Sequence, residues 1–174
     1  MNNKMKFFKN IDIIKNNPDF ELMFTDGSVK KNKKGIKNNI GGIGVYFNDK
    51  KIICEKFTGS FVTNQTMELN AVLYGLKQSN DNVIIITDSM YVINIFTSWI
   101  NEWEKNSWKK KYGQKIKNLD IIKKIYDEIK KKNVYFVHVN SHIEEFVIIQ
   151  QYGKESLEYK LWKGNYMADY LAKK

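Results

Sequence analysis

The stretch Phe24-Thr25-Asp26-Gly27-Ser28 places a carboxylate at the end of a short apolar run. Residues 20–25 alternate as a strand does, which puts Asp26 on the same face as Phe24. The following Asp-Gly pair is typical of a turn. A carboxylate is costly to bury unless a cation or hydrogen-bond donors accompany it. Asp26 therefore either begins a turn or belongs to a site.

A second copy of this pattern occurs at Ile86-Thr87-Asp88-Ser89. Residues 83–87 are apolar almost throughout, as expected for a central strand that is buried on both faces. If this strand runs parallel to the strand at 20–25, both acids lie at the same edge of the sheet. Ligands of open α/β sheets bind at that edge.

The order of predicted elements favours a single α/β domain with a mixed sheet of five strands, an antiparallel meander plus parallel strands, flanked by helices. A hairpin is predicted between 146–151 and 156–162, where Leu157, Tyr159 and Leu161 alternate with polar residues. Asn165 is expected to cap a short final helix. The five strands are predicted at 20–25, 41–47, 51–58, 83–87 and 134–139, and the other helices at 66–78, from Ser89 to about 103, and from Asn118 to about 131.

The net charge of +10 over 174 residues comes from lysine, because the chain contains no arginine. Such a surplus favours a polyanionic partner, most simply nucleic acid. The single cysteine, Cys54, excludes an internal disulfide, and its apolar neighbours predict a core position. No apolar run is long enough to span a membrane. We expect a soluble intracellular protein.

The segment 104–117 carries six lysines around Trp108 and Tyr112. A lysine run is usually a solvated face, but interleaved aromatic residues in a chain this basic make a surface for nucleic acid an equal alternative. Just before it, Trp99 and Trp103 lie on the apolar face of the predicted helix. We expect Trp99 to be core, and Trp103 to have a mixed role.

Four acidic residues are candidates for one site: Asp26 and Asp88 at strand ends, Glu68 in a first helical turn, and Asp169 near the final helix. Carboxylates packed together would take up protons unless cations neutralise them. Hard oxygen ligands suit Mg²⁺ or Mn²⁺, and two such ions can act on a phosphodiester. Spacing alone leaves open whether the four converge.

Five motifs resemble those of the type 1 ribonuclease H family, and the run Gly42 to Tyr46 is more similar to its eukaryotic branch. Together they cover most of the chain in the expected order. The motifs are Phe24-Thr25-Asp26-Gly27-Ser28, Thr63-Asn64-Gln65-Thr66-Met67-Glu68-Leu69, Thr87-Asp88-Ser89-Met90-Tyr91-Val92-Ile93-Asn94, Ser141-His142 and Gly164-Asn165-Tyr166-Met167-Ala168-Asp169.

The resemblance implies an RNase H-like fold and a two-metal endoribonuclease that hydrolyses the RNA strand of RNA–DNA hybrids, leaving 5′-phosphate and 3′-hydroxyl ends. By it, two Mg²⁺ ions, or Mn²⁺, would be the cofactors. Asp26 would bridge both ions, Glu68 and Asp88 would complete the site near the leaving group, and Asp169 would hold the water-activating ion. His142 would assist proton movement or product release.

The same resemblance assigns the substrate contacts. Residues on the RNA side would read the 2′-hydroxyl, two others would grip a DNA phosphate, and Trp103 would pack against DNA sugars. The partner would be an RNA–DNA hybrid, bound by a monomer. The RNA-side residues would be Gly27, Ser28, Asn64, Gln65 and Met90, and the phosphate-side residues Thr63 and Asn118.

The chain then divides into an N-terminal extension at 1–18 and a catalytic domain at 19–174, with a basic protrusion at about 104–117 and an insertion at about 143–163. Residues 1–18 leave no room for the hybrid-binding domain of many eukaryotic members. Phe61 stands where those members usually have an arginine. Glu144 and Glu145, at the base of the insertion, are either solvated acids or outer partners of the metals.

Two alternatives remain at this point. The chain could be a non-catalytic module that binds hybrids, if the insertion blocks the site. It could also be a free-standing ribonuclease H derived from a reverse transcriptase.

Overall fold

A six-stranded mixed sheet forms the centre of the molecule, with strand order β1-β6-β5-β2-β3-β4. The structure is a computed structural model and describes residues 8–30, 39–48 and 50–174. Most of the lysine-rich segment between the second and third strands lies outside these ranges. The strands are β1 Phe8–Lys9, β2 Glu21–Lys30, β3 Asn39–Phe47, β4 Ile52–Gly59, β5 Asn82–Thr87 and β6 Asn133–Val139.

Helices cover both faces of this sheet. One face packs against α2 and α5 and holds the larger apolar core, and the other packs against α7. In the part of the chain that the structure describes, no helix has both the length and the apolar character needed to cross a membrane. The helices are α1 Asp12–Asn16, α2 Asn64–Gln78, α3 Met90–Asn94, α4 Ile100–Lys105, α5 Leu119–Ile129, α6 Glu145–Tyr152 and α7 Leu157–Lys173.

The predicted pairing of the two acid-bearing strands is confirmed. Strand β2 runs parallel to β5, with Phe24 beside Ile86, and antiparallel to β3. Asp26 and Asp88 therefore follow neighbouring parallel strands at the same edge. The prediction of five strands was one short, because Phe8 and Lys9, within the predicted extension, pair with the edge of β6. Residues 1–7 of that extension lie outside the described ranges.

The turn predicted at Asp26-Gly27 is wrong. Strand β2 continues to Lys30, and Gly27 pairs with Ile43 of β3. Gly27 is needed for packing and not for a turn, since a Cβ at this position would collide with the backbone of Met67 and Glu68 in α2. The missing side chain lets the start of α2 lie directly against β2.

The hairpin predicted within 143–163 is also wrong. Residues 145–152 form α6, and α7 begins at Leu157, where the Ser156 hydroxyl accepts a hydrogen bond from the Tyr159 amide at 3.0 Å. Leu157 and Leu161 are spaced to share a face of a helix as well as of a strand. Because α7 runs through Asn165, that residue does not cap a helix but lies in its middle, 7% exposed.

Tryptophan burial differs from the prediction because the helix from Met90 to Lys105 contains a π-helical segment at Ile95–Trp99. The wider turn rotates the downstream residues relative to a regular α-helix. Trp99 is therefore exposed at 38%, against the prediction of a core residue, whereas Trp103 is 8% exposed. Cys54, predicted as core, is also exposed, and its thiol lies 3.2 Å from the Leu171 carbonyl oxygen.

Close contact between α7 and β3 yields the first prediction. A Cβ at Gly44 would fall against the Ala168 carbonyl oxygen and the Ala172 amide, which are backbone atoms of α7. We expect Gly44→Ala to lower the free energy of unfolding by about 3 kcal/mol, measured by urea denaturation. The exposed Ile52→Ala on β4 is the control and should change it by less than about 1 kcal/mol. A similarly small effect of Gly44→Ala would contradict this packing.

Candidate active site

Three of the four predicted acids meet at the carboxyl ends of β2 and β5. One carboxylate oxygen each from Asp26, Glu68 and Asp88 lies within 4.8 Å of the others. Asp26 is buried, and the Oε2 atom of Glu68 is buried with no hydrogen-bond partner among the described residues. Glu68 reaches this position because α2 packs against Gly27, next to Asp26.

Asp169 completes the group from the opposite side. Its carboxyl group is close enough to that of Asp26 to raise the pKa of Asp26, and it also contacts Lys173, one helical turn further along α7. The Lys173 ammonium lies 2.7 Å from Oδ2 of Asp169. The structure therefore brings all four predicted acids together, including the one that follows the unpredicted helix α6.

The electrostatics of the group are unfavourable without a cation. Burial, followed by repulsion from Asp88 and Asp169, raises the pKa of Asp26 from 3.8 to about 7. Burial, followed by repulsion from Asp26 and Asp88, raises the pKa of Glu68 well above its ordinary value. Close anionic oxygens of this kind fit hard divalent cations such as Mg²⁺ or Mn²⁺. These residues therefore suit the predicted metal site.

His142 lies at the mouth of a cleft of about 670 Å³ that Asp88 and Asp169 also line. Its backbone has a positive φ of 59°, in the loop after β6, and its side chain is exposed. Glu144 and Glu145 line the same cleft, and Oε1 of Glu145 accepts a hydrogen bond from the Tyr159 hydroxyl at 2.6 Å. The base of the predicted insertion is thus a wall of the cleft.

Two residues of this region were not predicted as part of the site. Asn165 lines the cleft, and its Oδ1 atom is buried with no hydrogen-bond partner among the described residues. Lys173 contacts the candidate ligand Asp169. Both lie on the Asp169 side of α7, at positions four before and four after it, so a helix assignment through 157–173 would have indicated them.

The predicted RNA-side residues lie on elements that carry or adjoin the carboxylates. Asn64 and Gln65 are in the first turn of α2, and Asn64 lies one turn before Glu68. Met90 begins α3 and is 39% exposed. Gly27 and Ser28 follow Asp26 within β2. The five residues therefore approach the site from three elements.

A separate cleft of about 1020 Å³ lies between the start of α2 and the segment 104–117. Asn118 lines it together with Lys109, Lys115 and the exposed Phe61. Asn118 precedes α5 in a left-handed conformation and donates to the Tyr91 hydroxyl at 3.2 Å, so its side chain does not cap the helix as predicted.

The Thr63 hydroxyl is engaged in hydrogen bonds at the start of α2. Its hydroxyl accepts a hydrogen bond from the Thr66 amide at 3.2 Å in a capping box that starts α2. Trp103, predicted to contact DNA sugars, lies in the core. The exposed indole beside it belongs to Trp99, with ring centroids 5.7 Å apart. Of the two tryptophans, Trp99 is therefore the one that offers aromatic surface.

The segment 104–117 consists of the end of α4 and a loop that is closed by a bridge between Lys109 and Lys115. Tyr112 stands at its tip, 88% exposed. Trp108 anchors the base through an edge contact with Tyr126 and a cation–π contact with Lys123. The predicted protrusion is therefore a basic loop fixed by an aromatic residue.

Comparisons with known proteins identify the family of the chain. Residues 18–174 match the RNase H family. The chain belongs to this family. It is 32% identical over 130 residues to the ribonuclease H of Schizosaccharomyces pombe, covering 74% of this chain and 48% of that protein. It is also 35% identical over 127 residues to the ribonuclease H of Caldicellulosiruptor saccharolyticus, covering 70% and 83%.

These matches confirm the predicted type 1 ribonuclease H family and enzyme class. The chain spans about half of the yeast relative's length and most of the bacterial one's. Its fold is similar to that of the solution structure of the PFV RNase H domain, with a TM-score of 0.64, 24% identity, and coverage of 88% of this chain and 92% of that domain. The RNase H-like fold is thereby confirmed.

The raised pKa of Asp26 predicts how stability depends on pH without divalent cations. A carboxyl whose pKa is higher in the folded protein stabilises the fold fully below its unfolded pKa, near 4, and this stabilisation is lost as the pH rises towards 7. We expect Asp26→Asn to raise the free energy of unfolding by about 2 to 4 kcal/mol at pH 8 in EDTA, measured by urea denaturation.

The control is Asp19→Asn, an exposed carboxylate, which should leave the pH dependence unchanged. Lowering the pH to 4 should shrink the advantage of Asp26→Asn, because Asp26 is then protonated in the folded protein. An advantage of equal size at pH 4 and pH 8 would contradict the electrostatic origin.

The contact between Lys173 and Asp169 leads to a prediction for cation binding. A divalent ion at Asp169 competes with the lysine, and an exposed ion pair of this spacing is worth only about 0.5 kcal/mol. We expect Lys173→Met to tighten Mg²⁺ binding about twofold, measured by the shift in melting temperature with Mg²⁺ concentration. Lys160→Met, an exposed position on the same helix, should have no such effect. Weaker Mg²⁺ binding in Lys173→Met would contradict the competition.

Proposed function

We propose that this chain hydrolyses the RNA strand of RNA–DNA hybrids with two divalent cations, Mg²⁺ or Mn²⁺, at Asp26, Glu68, Asp88 and Asp169. The observation that carries the proposal is the convergence of four carboxyl groups at the edge where two parallel strands end. Membership of the RNase H family supports the same reaction.

The carboxylates would share the cations unequally. Asp26 interacts directly with both Glu68 and Asp169, so it is the natural common ligand. Glu68 and Asp88 would complete one position, and Asp169 the other. When bound, the ions supply Lewis acidity, which favours ionisation of the attacking water and stabilises negative charge on the departing oxygen.

The bond changes determine the ends of the products. Water attacks the phosphorus atom, the bond from phosphorus to the ribose 3′ oxygen breaks, and that oxygen takes up a proton. The products therefore carry a 5′-phosphate and a 3′-hydroxyl. His142 is suited to moving protons or assisting product release, because its exposed imidazole lines the cleft with Asp169.

Recognition of RNA would come from the residues around the carboxylates. The Asn64 and Gln65 amides can donate to and accept from a 2′-hydroxyl. Gly27 and Ser28 offer a strand beside Asp26 that can approach the RNA backbone closely, and Met90 an exposed apolar side chain. A DNA strand at the same place lacks the 2′-hydroxyl, which would account for cleavage of RNA alone.

The DNA strand would lie along the face that carries α2 and the basic loop. Asn118 would meet a phosphate at the larger cleft, with lysines such as Lys109 and Lys115 supplying positive charge in place of the usual arginine. Thr63 does not line this cleft, and it would act through the start of α2 that it caps. The exposed ring of Trp99 would take the sugar contact, while buried Trp103 supports it from below.

A cleavage assay tests the proposal. With Mg²⁺, the protein should cut the labelled RNA strand of a hybrid and leave double-stranded RNA and DNA intact. We expect Asp26→Asn to reduce the rate by a factor on the order of a thousand while hybrid binding is retained, because it removes the shared carboxylate. Asp19→Asn is the matched control and should cleave normally.

Each failure has a separate meaning. Hybrid binding without Mg²⁺-dependent turnover would identify a non-catalytic module. Near-normal turnover by Asp26→Asn would refute the assignment of the metal ligands. Products with other ends than a 5′-phosphate and a 3′-hydroxyl would refute the bond that is proposed to break.

A further inference from the structure

A second basic groove lies on the face of the sheet that packs against α7, on the opposite side from the cleft at Asn118. Its volume is about 390 Å³, and it runs between the end of α7 and strands β2, β3 and β4. Ser28, two residues beyond Asp26, and Lys173, which contacts Asp169, both line it. The groove is therefore lined by neighbours of two of the four acids.

The charge of this groove is strongly positive. Four lysines line it against the single carboxylate of Glu55, and they are Lys30, Lys56, Lys173 and Lys174. In the part of the chain that the structure describes, Lys173 pairs with Asp169, whereas Lys30 and Lys56 have no ion pair. Their ammonium groups are exposed and available to phosphate oxygens.

The floor of the groove is apolar and narrow. Gly42 lets α7 approach the sheet, since a Cβ there would collide with the Ala172 carbonyl oxygen. Leu171 and Ile40 add apolar surface, and Ile40 is 41% exposed. The volume of about 390 Å³ is within the range of small-molecule sites, so the groove is large enough for part of one strand of nucleic acid.

We propose that this groove, defined by Lys30, Lys56 and Ile40, binds an unpaired continuation of the RNA strand where it leaves the hybrid. The inference rests on the proposed function, which places RNA at Asp26 and Ser28. Lysines would neutralise the phosphates, while the exposed Ile40 would contact a ribose or base. The DNA strand is the less suitable occupant, because its proposed path lies on the other face of the sheet.

Cys54 provides a direct test, since it is the chain's single cysteine, is exposed and lines the groove. The Asp26→Asn protein, which should leave the RNA uncut, is mixed with hybrids that carry a tethered thiol activated as a pyridyl disulfide. The Cys54 thiolate then displaces pyridine-2-thione by thiol–disulfide exchange, so no oxidant is needed. Separate hybrids place the thiol on a 5′ RNA extension, a 3′ RNA extension, a DNA extension or a flush end.

We expect one RNA extension to form a disulfide with Cys54 at least about fivefold more efficiently than the DNA extension or the flush hybrid, because local binding raises the effective concentration of the thiol. Cys54→Ser should abolish the product. Equal yields from all hybrids, or a preference for the DNA extension, would overturn the proposal.

A binding measurement gives independent evidence. Lys56→Glu should weaken binding of the RNA-extended hybrid about tenfold at low salt and leave the flush hybrid unchanged. Lys160→Glu, an exposed charge reversal on α7 outside the groove, should affect neither substrate. Equal weakening of both substrates by Lys56→Glu would overturn the assignment to the extension.

The two proposals can fail separately. If the wild-type protein cuts no hybrid, the proposed function fails. If it cuts a flush hybrid but shows neither the selective cross-link nor the selective loss of affinity, only the groove proposal fails.

Discussion

The absence of a side chain at Gly27 is the constraint on which the site depends. Its Cα lies so close to the first turns of α2 that any Cβ would overlap the backbone of Met67 and Glu68. That contact sets the distance between α2 and the sheet and brings Glu68 close to Asp26. Thr63 starts the helix at the right residue through its capping box. One glycine and one cap thereby determine where a carboxylate stands, although neither touches a substrate.

Holding the acidic residues of the site together lowers the stability of the folded chain. Burial and mutual repulsion make the charged forms of Asp26 and Glu68 unfavourable, as their raised pKa values show. A cation reverses that balance, since it converts repulsion between the carboxylates into shared coordination. The contact between Lys173 and Asp169 supplies a weaker positive charge from within the chain. Without ions, the clustered carboxylates that suit cation binding therefore lower the stability of the fold. Once ions bind, the same carboxylates stabilise it.

Sequence patterns predicted the parts of this fold that local rules determine. The parallel pairing of β2 with β5 and the end of α2 at Gln78 followed from apolar patterns, and the four acids followed from motifs. The start of α2 lies two residues before the predicted Thr66, because Thr63 caps the helix. Failures occurred where distant contacts override local preference. The Asp26-Gly27 pair reads as a turn, yet pairing with β3 extends it as a strand. Leu157 and Leu161 fit a strand or a helix equally well, and only packing of α6 on α7 decides between them.

The π-helical segment at Ile95–Trp99 has a consequence for sequence change in this region. One wide turn accommodates an extra residue and so sets which indole of the pair faces solvent and which faces the core. Deleting a single residue within the segment would rotate the helix that follows by about 100° and so change the environment of Trp103. Substitutions in this stretch are therefore tolerated more readily than a change of length. The number of residues in the helix is itself under structural constraint.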